Sequence, residues 1–202
     1  MPIPDKPVKY YEQNLLDHAI DQVVSQKDEP TAADFNKVYV AAQVQAGIDK
    51  YRAQASSMSS KELQLEKHNS TVLGRHLESV GNKRPVRCHA HAIVAGGHTR
   101  AAILRAIMAR LKIRIDDPDN GCWLPENTAA TPHPVMPRAV PHSRIHRNNY
   151  FFWLYSRLQG VSQEASFRIN LKLIAKHLHE HTFPEYVMLK KGAGLSGGRR
   201  MT

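Results

Sequence analysis

Several of the twelve histidines in this 202-residue chain stand at spacings that could hold a metal ion. His142 and His146, in "PHSRIHRNNYFFWLYSRL", are four residues apart. On a helix that spacing puts two imidazoles on one face, close enough to share one transition-metal ion. The spacing is weak evidence by itself, because His177 and His181 repeat it without marking a site. A third ligand makes the difference, and "CHAHAIVAGGH" (residues 88–98) is where to look for it. His89 and His91 are two apart, so on a strand they point the same way. An imidazole with a pKa near ~6.5 can serve as a neutral ligand or as a general base at neutral pH.

The elements that must position these side chains follow from periodicity. Residues 1–80 read as a helical N-terminal region. "YYEQNLLDHAIDQVVSQ" spaces its apolar residues helically, "PTAADFNKVYVAAQVQAGIDKYRAQ" opens on Thr31 as an N-cap, and "SSKELQLEKHNSTVLGRHLESVG" reads as one third helix. No recognisable chemistry lies there; a helical cap or delivery adaptor is expected. Gly81 and "NKRP" break the chain. "VRCHAHAIVA" alternates as a short strand, and Thr99 can cap the helix "RAAILRAIMARL", with Arg100, Arg105 and Arg110 outside its apolar face. "DDPDNG" ends in an Asn-Gly pair suited to a tight reversal, and "CWLP" is a second short strand. A Pro-rich loop leads to one helix over "HSRIHRNNYFFWLYSRL". The expected organisation is an α+β core over 81–160, a C-terminal helix within 161–190 and a mobile basic tail over 191–202.

Composition is that of an ordinary globular chain, with 42% hydrophobic and 23% charged residues. Lys and Arg exceed Asp and Glu by 28 to 18, a net +10 that favours polyanionic partners, nucleic acid foremost. No apolar run approaches the ~20 residues of a membrane span. "MPIPDKPVKYYEQ" lacks the apolar region of a signal peptide, so a cytoplasmic protein is expected, exported, if at all, by a route that reads no cleavable signal. Cys88 and Cys122 do not make a disulfide framework.

Strand, strand and helix, with histidines on the first strand and the helix and an Asn-Gly between, outline a ββα-metal site. "AHAIVAGGHTRAAILRAIMARLKIRIDDPDNGCWLP" followed by "PHSRIHRNNYFFWLYSRL" resembles the AHH family of nuclease domains, in the HNH/endonuclease VII (His-Me finger) superfamily. The resemblance runs from the end of the third helical segment to Leu158. It implies a ββα-metal nuclease core behind the helical region, with one divalent ion (Zn, Mg, Mn or Ni) held by His91, His142 and His146. It also implies Asn120 as the residue that fastens the loop shaping the site, Asn148 and Tyr150 as supporting residues, and a nucleic-acid substrate, DNA favoured. Arg100, Arg144, Arg147 and Asn148 are the candidate backbone-phosphate contacts. Because the family often supplies bacterial toxin domains, the resemblance implies an antagonistic effector acting in a target-cell cytoplasm, neutralised in its producer by an immunity protein.

One position departs from the family. Where its second adjacent histidine is expected as general base, this chain has Ala92. Either His89 takes the proton, or His91 is the base and His89 or His98 completes the metal shell, or catalysis is lost and a nucleic-acid-binding or structural-metal protein remains. A Cys/His zinc site built on Cys88 and Cys122, and an adaptor working through residues 1–80 alone, are the other readings.

Overall fold

In the computed structural model, which describes residues 13–195, each of the first three helices opens on a side chain that satisfies its own free amides. Asn14, Thr31 and Ser59 cap α1 (Leu15–Val24), α2 (Ala32–Ser57) and α3 (Ser60–Leu65) in reciprocal boxes with Asp17, Asp34 and Glu62. The expected single third helix is two. It breaks after α3 and restarts, capped by Asn69, as α4 (Ser70–Ser79). The break is held from outside: Asp116 accepts from the Asn69 backbone N–H at 2.9 Å and meets His68 Nδ1 at 2.5 Å. A distant carboxylate thus overrides a helical pattern.

β1 (Cys88–Ala92) follows. His98, not Thr99, caps the turn into α5 (Ala102–Arg110), its imidazole accepting from the Arg100 N–H. The Asn-Gly pair does not reverse the chain. Asn120 closes a single 3-10 turn, and Gly121 is extended (φ −129°, ψ 153°) as the first residue of β2 (Gly121–Pro125). Glycine is required there for space, since a Cβ would lie 2.7 Å from Leu73 Cδ1. β2 pairs antiparallel with β1, with His91 opposite Cys122 and Ala92 opposite Gly121.

The helix expected over 142–158 is interrupted. α6 (His142–Ile145) is one turn long; His146 leaves the helical region at ψ 59°, Arg147 is extended, and α7 (Asn148–Leu158) begins anew. α8 (Glu164–Glu180) closes the core and ends at His181 in the left-handed region (φ 54°). His177 points Nδ1 at Thr182 Oγ1, 2.7 Å away, as a helix-end contact. The tail expected from 191 falls largely outside the described residues. No helix among the described residues is long and apolar enough to cross a membrane.

The two-stranded sheet buries both faces. Cys88, Ala90, Ala92 and Trp123 pack on Leu73 and Leu77 of α4. Cys122 and Leu124 join the main core with α5, α7 and α8. The cysteines therefore sit in separate clusters, free and buried, and the Cys/His zinc arrangement does not form. The result is an α+β fold whose first strand turns His89 and His91 away from α4.

Candidate metal centre

Three imidazoles converge where β1, α6 and the break before α7 meet. One ring nitrogen from each of His91, His142 and His146 lies within 4.8 Å of the others. Bonds of about 2.0–2.1 Å in tetrahedral geometry set ligand nitrogens ~3.4 Å apart, so the rings must rotate inward to share one ion. The break after α6 matters here. It turns His146 out of helical register at the open rim, while its ring stays close to those of His91 (4.9 Å between centroids) and His142 (5.4 Å).

His91 is fully buried, and its hydrogen bonds assign its tautomer. Tyr150 Oη donates to the Ile93 carbonyl at 3.0 Å, so it accepts the proton of His91 Nε2, also 3.0 Å away. The lone pair of His91 then resides on Nδ1, which is buried and has no hydrogen-bond partner. Burying an acceptor unpaired is costly. An imidazole nitrogen with a free lone pair beside two other imidazoles belongs to a donor set that could hold a metal ion, with Tyr150 fixing the ring.

The electrostatics agree. Burial first, and then the neighbouring imidazoles His146 and His142, hold the His91 pKa well below its ordinary value. Burial and His89 lower that of His142. Packing of its ring, aided by His142 and His98, pushes His146 down to about 4. All three rings are therefore neutral at pH 7, with lone pairs available. Burial likewise raises the Tyr150 phenol far above its usual range and keeps it a neutral donor.

Asn120 is buried and makes a full set of bonds. Its Oδ1 accepts from Val94 N–H (2.8 Å), and its Nδ2 donates to the carbonyls of Val94 (3.2 Å) and Ile115 (2.8 Å). It fastens the exit of β1 to the 115–120 loop at Val94, three residues beyond His91. His89 shares the site face, half exposed, its ring 5.6 Å from that of His142 and Nε2 3.9 Å from Glu126 Oε2. Ala92 points the other way, into the contact with α4.

The candidate phosphate contacts divide. Arg144 is exposed, and Arg100 is exposed beside His98. Arg147 is engaged, donating to the Arg144 carbonyl (3.1 Å) and the Met188 carbonyl (2.7 Å). Asn148 is half-buried at the start of α7, but the hydrogen-bonding work falls to its neighbour. Asn149 Nδ2 donates to the carbonyls of Tyr186, Lys190 and Ala193, and its Oδ1 accepts from Gly192 N–H. Sequence reasoning passed over Asn149, between the motif residues Asn148 and Tyr150, and Glu126, which lies in no motif. His98 lies outside the imidazole cluster: it caps Arg100 N–H and stacks on Phe151 at 4.2 Å. His133 is a structural residue, bridging the Val86 carbonyl and Val135 N–H.

The model of the family described as "a nuclease family of the HNH/ENDO VII superfamily with conserved AHH" matches residues 72–178, more than half of the chain and all of the site. No curated protein and no solved structure matches. The family's conserved Ala-His-His run does not occur as such in this chain, whose first strand reads Cys88-His89-Ala90-His91-Ala92. With the imidazole cluster in place and the family matched over the residues that build it, the chain belongs to the AHH nuclease family and is an endonuclease that hydrolyses phosphodiester bonds.

Proposed function

We propose that the chain is a one-metal nuclease of the ββα-metal type that cuts DNA with little sequence preference, deployed as an antagonistic toxin. The observation that carries the metal reading is that buried His91, whose Nδ1 has no hydrogen-bond partner, brings a ring nitrogen within 4.8 Å of one each from His142 and His146. The core is assigned to 81–160, the helices before it to a cap, and the 161–190 segment to a brace. β1, β2 and the α6 turn stand for the two strands and the helix of that architecture. An all-imidazole ligand set suits Zn or Ni better than Mg or Mn. When bound, a divalent ion there supplies charge neutralisation at the scissile phosphate and stabilises the departing oxygen.

The protein's own groups supply the rest. His91, held by Tyr150 and backed by the Asn120-fastened loop, presents Nδ1. His89, on the same face at the rim, takes the proton of the attacking water in place of the missing histidine, with the Glu126 carboxylate near enough to orient the ring. A positioned base contributes ~10²–10⁴-fold. Arg144 and Arg100 meet backbone phosphates, which gives affinity without reading sequence. Because the chain carries a net charge of +10, a neutralising partner in the producing cell would be an acidic protein covering the site.

The test is plasmid nicking by purified protein with EDTA and with added Zn, Ni, Mn or Mg, beside His91→Ala, His146→Ala and His89→Ala. The expected result is metal-dependent cutting, lost in the first two variants and reduced at least ~100-fold in the third. Binding of DNA without cutting under any metal would replace this with a nucleic-acid-binding protein that lost its base at Ala92.

A further inference from the structure

The loop between β1 and α5 holds a hydrogen-bonding conflict. The backbone N–H of Arg100 donates to His98 Nδ1 at 3.1 Å, while Arg100 Nη1 approaches His98 Nε2 at 3.5 Å. Both Arg100 groups are donors, and a neutral imidazole has only one acceptor nitrogen. With Nδ1 accepting from the backbone, the ring proton sits on Nε2. An imidazole N–H and a guanidinium N–H then converge at 3.5 Å, two donors facing each other.

Neighbouring groups hold the pair in this state. The His98 ring is stacked on Phe151 with an interplanar angle of 27°. Arg105 Nη1 pins the loop by donating to the carbonyls of Ala95 (2.9 Å) and His98 (2.7 Å). The surrounding sequence offers no counter-ion: from Lys83 to Arg114 there are eight Lys or Arg and no Asp or Glu. The position is also telling. Phe151, on which His98 lies, is 6.1 Å from the His146 ring, so the two donors border the imidazole cluster.

We infer that His98 and Arg100 together clamp one phosphate oxygen of the nucleic-acid backbone beside the imidazole cluster. A single anionic oxygen between Nε2–H and Nη1–H satisfies both donors and removes their repulsion. Arg100 contributes the charge, and the stacked, capped imidazole contributes direction. The contact serves any sequence. The inference rests on the nuclease reading for its substrate and names a role for His98 that is neither ligand nor base.

The experiment uses the full chain, EDTA-treated. A histidine side-chain ¹H–¹⁵N correlation reports the His98 tautomer with and without inorganic phosphate, and fluorescence anisotropy measures binding to a short DNA duplex. His98→Asn keeps an acceptor for the Arg100 N–H, and with it the turn, but has no donor where Nε2 stood; Arg100→Gln removes the charge. The Nε2–H tautomer and a phosphate-dependent shift of that signal are expected. Each variant should bind duplex about 10-fold more weakly, as loss of a charge-assisted bond implies. The double variant should lose little more, because both donors share one oxygen, and Zn affinity should not change. An Nδ1–H tautomer, or variants binding duplex as wild type does, overturns the clamp. The two readings fail separately: binding that depends on His98 and Arg100 without metal-dependent nicking defeats the metal-centre reading alone. Nicking with KM and affinity untouched in both variants defeats the clamp alone.

Discussion

At the scale of single residues, the decisive feature is a tautomer. Tyr150 determines which nitrogen of His91 bears the proton, and thereby which nitrogen is free for a metal. Tyr150→Phe should leave the fold in place but weaken Zn binding by ~10–100-fold, measured by competition with a chromogenic chelator; an unchanged Kd would remove Tyr150 from the centre. The same burial makes the metal-free protein acid-sensitive. The His91 pKa is depressed in the folded state, so below ~6.5 the unfolded chain takes up a proton that the folded chain refuses. Stability should therefore fall as pH drops below ~6.5, by about 1.4 kcal/mol per pH unit for this one buried ring. His146 adds in the same direction down to about 4. Urea denaturation in EDTA from pH 7.5 to 5 tests this, and a flat profile would show that the rings are not buried neutral.

At the scale of elements, the site depends on where regular structure stops. The helix expected over 142–158 breaks directly after His146, yet the His142 and His146 rings stay 5.4 Å apart. The one-turn α6, the extended Arg147 and the restart at Asn148 leave His146 at the exposed rim of the cluster, and the bonds of Arg147 and Asn149 to the 186–193 carbonyls hold the restart in place. On the other side, α4 lies so close to β2 that Leu73 occupies the space of a Gly121 side chain. Gly121→Ala should cost about 1–3 kcal/mol by overpacking and displace the Asn120 loop. A melting temperature equal to that of the wild type would mean that α4 yields more easily than its packing implies.

At the scale of the whole molecule, a buried ion network joins the helices before the core to the helix after it. Asp117, with its side chain 1% exposed, takes Arg52 of α2 and Arg168 of α8, and Asp119 pairs with both as well. Burial works against the Asp117 charge, but the two guanidinium groups outweigh it and hold the carboxyl below its usual range. Asp117→Asn leaves those cations under-compensated and should destabilise the fold by about 3–5 kcal/mol, read by chemical denaturation. A change below ~0.5 kcal/mol would mean that Asp119 alone holds α2 and α8.

What the sequence by itself determined was local. Histidine spacing and the alternation in "CHAHA" marked 88–98 and 142–146 as candidate metal-binding segments, and the resemblance to the AHH family, carried by short motifs, implied His91, His142, His146 and Asn120 as the site and a nuclease as the activity. Tertiary structure alone decided the breaks at 66–69 and at 146–147, which run against an unbroken apolar pattern and are held by Asp116 and by the 186–193 carbonyls. It also decided the extended Gly121, the tautomer of His91 and the face on which Ala92 lies. Each of these depends on a partner tens of residues away, and side-chain periodicity carries no record of what will pack against it.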